Sequence, residues 1–161
     1  MHAFGLKLRT LRERAGYHQT ALAAILPGAS QAHISNLEAG RKTPTVALVL
    51  QIAHTFAVPV DYLIRDVHPI ASIPALLDDL PPLDTWRSAF ADALRRHRVA
   101  QQLSQRDLAS RAQPLSQEFI SQLEHAQKVP TPETLLKLAD ILNITVDRLL
   151  GATARDAANA G

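Results

Sequence analysis

Apolar residues fall at helical spacing in five short stretches near the start of the chain, each closed by a turn signal. Phe4, Leu8 and Leu11 share one helix face, and Gly16 ends that helix. A second, short helix carries Leu22, Ala23 and Ile25, is entered through His18 and Gln19, and is broken by Pro27-Gly28. Ser30 is placed to cap a third helix through Gln31, Ile34 and Leu37, since its hydroxyl can accept a bond from a free backbone N–H; Gly40 closes it. Thr45 starts a fourth helix through Leu48, Val49, Ile52, Ala53 and Phe56, and residues 60–64 form a short fifth.

The same pattern returns at an offset of 86 positions without a gap. Phe4, Leu8, Arg12, Gln19, Leu22, Ser30, Gln31, Ile34, Leu37, Glu38, Lys42, Pro44 and Thr45 all recur unchanged, as Phe90, Leu94, Arg98, Gln105, Leu108, Ser116, Gln117, Ile120, Leu123, Glu124, Lys128, Pro130 and Thr131. Identities kept together at apolar, polar and turn positions mark an internal duplication. Each copy is a unit of about 60 residues, near the lower limit for a domain that folds without staples. Ser104 stands where His18 stands and is the better cap, and Thr131-Pro132-Glu133 is a strong helix start.

These boundaries divide the chain into a first domain over 1–66, a connector over 67–85, a second domain over 86–151 and a tail over 152–161. Pro69, Pro74, Pro81 and Pro82 interrupt the connector, which reads as semi-extended with one short helical turn near Ala75 to Asp78. The tail has no apolar face and reads as frayed. Hydrophobic residues make up 47% of the chain and aromatics only 4%, with Ala and Leu dominant, so the fold class is all-α. Charge follows the same division. Residues 1–66 hold seven Lys/Arg against four Asp/Glu, the connector has three acids and no base, and residues 86–151 hold nine bases against seven acids.

With no cysteine in the chain, a disulfide framework, thiolate metal sites and a cysteine nucleophile are excluded, and a cytoplasmic location is expected. No apolar run approaches the roughly 18 residues that span a bilayer, so no membrane role is expected. None of the seven histidines forms a ligand pattern with a neighbour, and no Gly-rich phosphate loop occurs. No metal, no cofactor and no catalysis are expected.

The stretches HQTALAAILPGASQAHISNLEAGRKTPT and LSQRDLASRAQPLSQEFISQLEHAQKVPT resemble the DNA-binding domain of the phage repressor and Cro family, the xenobiotic-response-element type in bacteria. The likeness covers both copies almost from end to end. It implies two tandem five-helix, lambda-repressor-like domains joined by a Pro-rich linker, each with its second and third helices as a helix-turn-helix whose third helix enters the major groove. Both copies depart from the family in a turn, LPGA and AQPL, that is one residue longer than usual.

A recognition helix must bury one apolar stripe and present paired donors and acceptors on its other face. Gln31 and Asn36 meet that need in copy one, and Gln117 and Gln122 in copy two; Ala32 and Glu118 share those faces. The same amides also read as ordinary solvated helix positions. By the resemblance, Gln19 and Gln105 match the position that clamps the DNA backbone, while Ser30, Ser116, Arg41, Lys42 and Lys128 are placed for phosphates. Simple capping polarity is the other reading of the two glutamines. Arg12 with Glu38, and Arg98 with Glu124, match a family position where an arginine of the first helix meets a glutamate ending the third, which makes them structural ion pairs.

The resemblance implies a sequence-specific duplex-DNA-binding regulator, with a repressor favoured. An antitoxin or antirepressor module that holds a toxin or other protein partner is the alternative, and a homodimer is expected. The copies are not identical where they would touch DNA. Gln127 replaces Arg41, Ala126 replaces Gly40, and Glu118-Phe119 replace Ala32-His33, so copy one is expected to supply more of the phosphate anchoring.

Overall fold

A computed structural model describes residues 2–75 and 78–154 of the chain. The chain forms two compact units, Met1–Leu76 and Leu77–Gly161. Unit 1 contains α1 (Phe4–Arg14), α2 (Gln19–Ile25), α3 (Gln31–Glu38), α4 (Val46–Phe56) and α5 (Val60–Ile64). Unit 2 contains β1 (Asp78–Asp79), α6 (Trp86–Ala100), α7 (Gln105–Arg111), α8 (Gln117–Glu124), α9 (Pro132–Leu142), α10 (Val146–Leu149) and β2 (Thr153–Ala154). The two short strands pair antiparallel, Asp78 opposite Ala154 and Asp79 opposite Thr153. Among the described residues no helix is long and apolar enough to cross a membrane.

The repeated apolar positions are the ones each core buries. Leu8, Leu22, Ile34 and Leu37 are within 1% of complete burial, and so are Leu94, Leu108, Ile120 and Leu123. The caps explain why the helices start where they do. Ser30 accepts from His33 N, Ser116 from Phe119 N, Thr45 from Leu48 N and Thr131 from Thr134 N. Ser104 Oγ accepts from Asp107 N–H, and the Asp107 carboxylate accepts from Ser104 N–H, completing a capping box. His18 takes the same extended backbone conformation but makes no side-chain cap.

The ends of the third helix of each unit also match. In unit 1 the Gly40 N–H donates to Leu37 O and Arg41 N–H to Asn36 O; in unit 2 Ala126 N–H donates to Leu123 O and Gln127 N–H to Gln122 O. This closure needs a left-handed residue. Gly40 supplies it at φ 68°, and Ala126 is held there at φ 55°, so the alanine follows the glycine's path rather than leaving by another exit.

The 67–85 stretch is divided between the units instead of lying outside both. In unit 1 the segment after α5 folds back: Tyr62 Oη donates to Ile70 O (2.9 Å), Arg14 Nη2 donates to Ala71 O (3.1 Å), and His68 Nε2 lies 3.1 Å from Asp61 Oδ2. In unit 2, Leu80 and Trp86 are buried against the core. The helical turn expected near Ala75 to Asp78 does not reach Asp78, which is in β1; residues 76 and 77 lie outside the described residues. Thr153 and Ala154, expected to fray, are in β2, and the rest of the tail, 155–161, lies outside the described residues. Strand pairing of so few residues leaves no periodic trace in a sequence, because its partner lies about 75 positions away.

Lys7 shares the α1 face of Phe4, Leu8 and Leu11 and is fully buried there, with Nζ donating to Tyr62 O and Arg65 O at 2.7 Å each. It ties α1 to the C-terminal carbonyls of α5, where a cation is favoured. Burial lowers its pKa, against the opposing pull of Asp66 and Asp61. Ala93 occupies the same place in unit 2.

Candidate nucleic-acid interface

In each unit one arginine joins three elements. Arg12 of α1 donates from Nε to Glu38 Oε1 (2.6 Å) and from Nη2 to Glu38 Oε2 (3.1 Å), while its Nη1 donates to Tyr17 O in the loop before α2. Arg98 of α6 repeats this on Glu124 at 2.5 and 3.0 Å and on Leu103 O. Two parallel N–H donors meet two carboxylate oxygens, which fixes direction as well as distance. The expected structural ion pairs are therefore present in both copies. Each glutamate's hydrogen bonds raise the pKa of its arginine. Burial pushes the Glu124 carboxyl up, but hydrogen bonds from Arg98 and Gln105 outweigh it and leave the carboxyl below its ordinary range.

Gln19 and Gln105 belong to the same networks. Gln19 Nε2 donates to Glu38 Oε2 (2.9 Å) and Gln105 Nε2 to Glu124 Oε2 (2.8 Å). In unit 1 the chain of bonds runs one step further, because Gln31 Nε2 donates to Gln19 Oε1 (2.8 Å). One amide N–H and the Oε1 of Gln31 are left for an outside partner, and these are the two groups that adenine N7 and N6 require. Sequence reading placed Gln19 and Gln105 on phosphate and missed their bonds to the glutamates. The available signal was that Gln and Glu recur together 19 residues apart in both copies.

Around these networks the recognition faces lie open. Gln31 and Ala32 are exposed on α3, with Asn36 half-buried and its Oδ1 accepting from Arg41 Nη1 at 3.3 Å. On α8, Gln117 and Glu118 are exposed, and Gln122 Nε2 donates to Glu118 Oε1 at 3.3 Å, so two of the candidate base readers there are tied to each other. Phe119 is half-buried. Lys42 and Lys128 are exposed just beyond the two helices, and their ammonium groups make no hydrogen bond among the described residues. The Ser30 and Ser116 hydroxyls accept from backbone N–H groups as caps, which leaves each O–H free to donate.

A family profile described as helix-turn-helix domain matches residues 3–63, and one described as helix-turn-helix matches residues 94–149. No curated protein and no solved structure matches the chain. The two matches fall on α1 to α5 and on the greater part of α6 to α10, so each covers one copy of the repeat.

Proposed function

Because both copies belong to the helix-turn-helix family, we propose that this protein is a transcription regulator, acting as a repressor, that binds specific duplex DNA through both units. The observation that carries this reading is the doubled arrangement of an exposed glutamine, Gln31 or Gln117, at the start of a helix whose far end is clamped by a bidentate arginine. A helix held at one end and open at the other presents its first turn to a groove. Gln31 reads a base, Gln19 serves as its support and as a backbone contact, and Lys42 and Lys128 hold phosphates, which position the protein without reading sequence.

Selection from a random duplex library tests the reading and returns the site, its symmetry and its spacing. On the selected site, Gln31→Ala is expected to relax preference at one base pair and to cost about 1–3 kcal/mol there. Lys42→Ala is expected to weaken all duplexes alike. Equal losses on selected and random DNA for Gln31→Ala would remove its base-reading role, and failure to enrich any sequence would remove the regulator reading.

A second reading keeps the fold and changes the partner, with α8 holding a protein such as a toxin. It is favoured by the Glu118–Gln122 bond, which occupies groups that a base would need, and by the half-buried Phe119 beside them. Glu118→Ala separates the two: altered base preference in the second half-site supports DNA, and no change on any duplex supports a protein partner.

A further inference from the structure

A carboxylate paired to an arginine cancels most of the charge that arginine could offer a phosphate, and the two units differ in this respect. On α1, Arg9 is bonded to Glu13 at 2.7 Å. At the matching place on α6 the glutamate is replaced by Val99, so Arg95, in register with Arg9, is exposed and makes no hydrogen bond or ion pair among the described residues. At the start of α2, Thr20 follows Gln19, whereas at the start of α7 Arg106 follows Gln105. Arg106 is also exposed and makes no hydrogen bond among the described residues. Its neighbour Asp107 does not take it, because that carboxylate is turned back onto Ser104 N (2.8 Å) and Ser104 Oγ (2.5 Å) in the capping box.

Both side chains flank one network. Arg95 lies within electrostatic reach of Glu124, and Arg106 adjoins Gln105, whose amide is bonded to the same glutamate. Arg98 already neutralises that glutamate through two hydrogen bonds, so Arg95 is a surplus positive charge beside it, while Arg106 interacts electrostatically with the Asp107 carboxylate without being hydrogen-bonded to it. The first helix of the helix-turn-helix, α7 in unit 2, crosses the DNA backbone, where a duplex carries one negative charge per about 1.7 Å, and Arg95 of α6 stands beside the glutamate to which α7 is bonded. We propose that unit 2 grips the phosphate backbone through Arg106 and Arg95, a site with no counterpart in unit 1, where anchoring falls to Arg41 and Lys42 beyond α3. The proposal rests on the DNA-binding reading above. It reverses the distribution expected from Arg41 and Gln127 alone, since those two positions follow the recognition helix, whereas the cations of unit 2 precede it.

The test is the salt dependence of binding of the full chain to a random-sequence duplex, followed by fluorescence anisotropy. With Arg106→Thr and Arg95→Ala combined, the slope of log Kobs against log salt is expected to become shallower by about 1.8, or about 0.9 for each phosphate no longer neutralised. Arg111→Ala, which removes one charge from the far end of α7, is expected to leave the slope unchanged. Thermal unfolding of each variant checks that it folds, and if the double variant does not, each single variant is expected to lower the slope by about 0.9. An unchanged slope in variants that still bind DNA overturns the proposal, as does an equal effect per charge from Arg111→Ala. If the unsubstituted chain binds no duplex, the regulator reading falls and this site with it.

Discussion

Arg98 and Glu124 meet across 26 residues, with side chains 11% and 2% exposed, so either one left alone would be a nearly buried charge with no counter-ion. Arg98→Ala is expected to destabilise unit 2 by about 3 kcal/mol in urea unfolding, most of it the penalty on the stranded carboxylate. The pair also sets a pH response. Because the Glu124 carboxyl lies below its ordinary range in the folded chain, its contribution is fully present above the unfolded carboxylate range and is lost as pH falls through the folded value. Unfolding free energy should therefore decline below about pH 4, and Glu124→Gln should flatten that decline at the expense of stability near neutrality. The ion pairs were legible because Arg and Glu recur together in both copies and fit a known family position. The bonds from Gln19 and Gln105 were not, because an amide can serve phosphate, base or carboxylate equally well, and only the approach of the start of α2 to the end of α3 selects the carboxylate.

The helices show where duplication has left unequal solutions to the same local problem. His18 and Ser104 hold nearly the same backbone angles, but only Ser104 offers a capping oxygen to the next turn. His18→Ser is expected to stabilise unit 1 by about 1 kcal/mol, since the geometry is already in place; Ser104→Ala should lose a similar amount from unit 2. Ala126 sits at φ 55°, a region that L residues enter at a cost, so Ala126→Gly is expected to gain roughly 0.5–1 kcal/mol, read as a rise in the thermal midpoint. Gly5 has the opposite logic. A Cβ built there would stand 2.5 Å from Leu37 O and 2.6 Å from Glu38 O, so α1 presses directly on the end of α3. Gly5→Ala should destabilise unit 1 by roughly 1–3 kcal/mol, because backbone carbonyls cannot step aside as a side chain would. The caps could be read from Ser, Thr and Pro at helix starts, whereas Gly5 could not. A glycine inside a helical pattern looks like a weak helix former until the neighbour that it admits is known.

At the scale of the chain, the two units share one arrangement of helices but close it differently, unit 1 with the segment after α5 and unit 2 with a two-stranded ribbon. A fragment ending at residue 66 lacks the acceptors Ile70 O and Ala71 O and the His68 imidazole beside Asp61, so it is expected to be roughly 1–2 kcal/mol less stable than one ending at residue 76, as denaturant midpoints would show. By itself the sequence determined the duplication, the helix order, the caps and the cores, and the family resemblance added the arginine–glutamate pairs. Those features are written in local spacing or in identities repeated at one offset. Only the tertiary structure decided which carbonyls hold Lys7, that Gln19 and Gln105 are bound to glutamates, that Gln31 leans on Gln19, and that the 67–85 stretch belongs half to each unit. Each depends on which backbone carbonyl or side-chain oxygen folding brings within about 3 Å of a donor, and no periodicity along the chain records that distance.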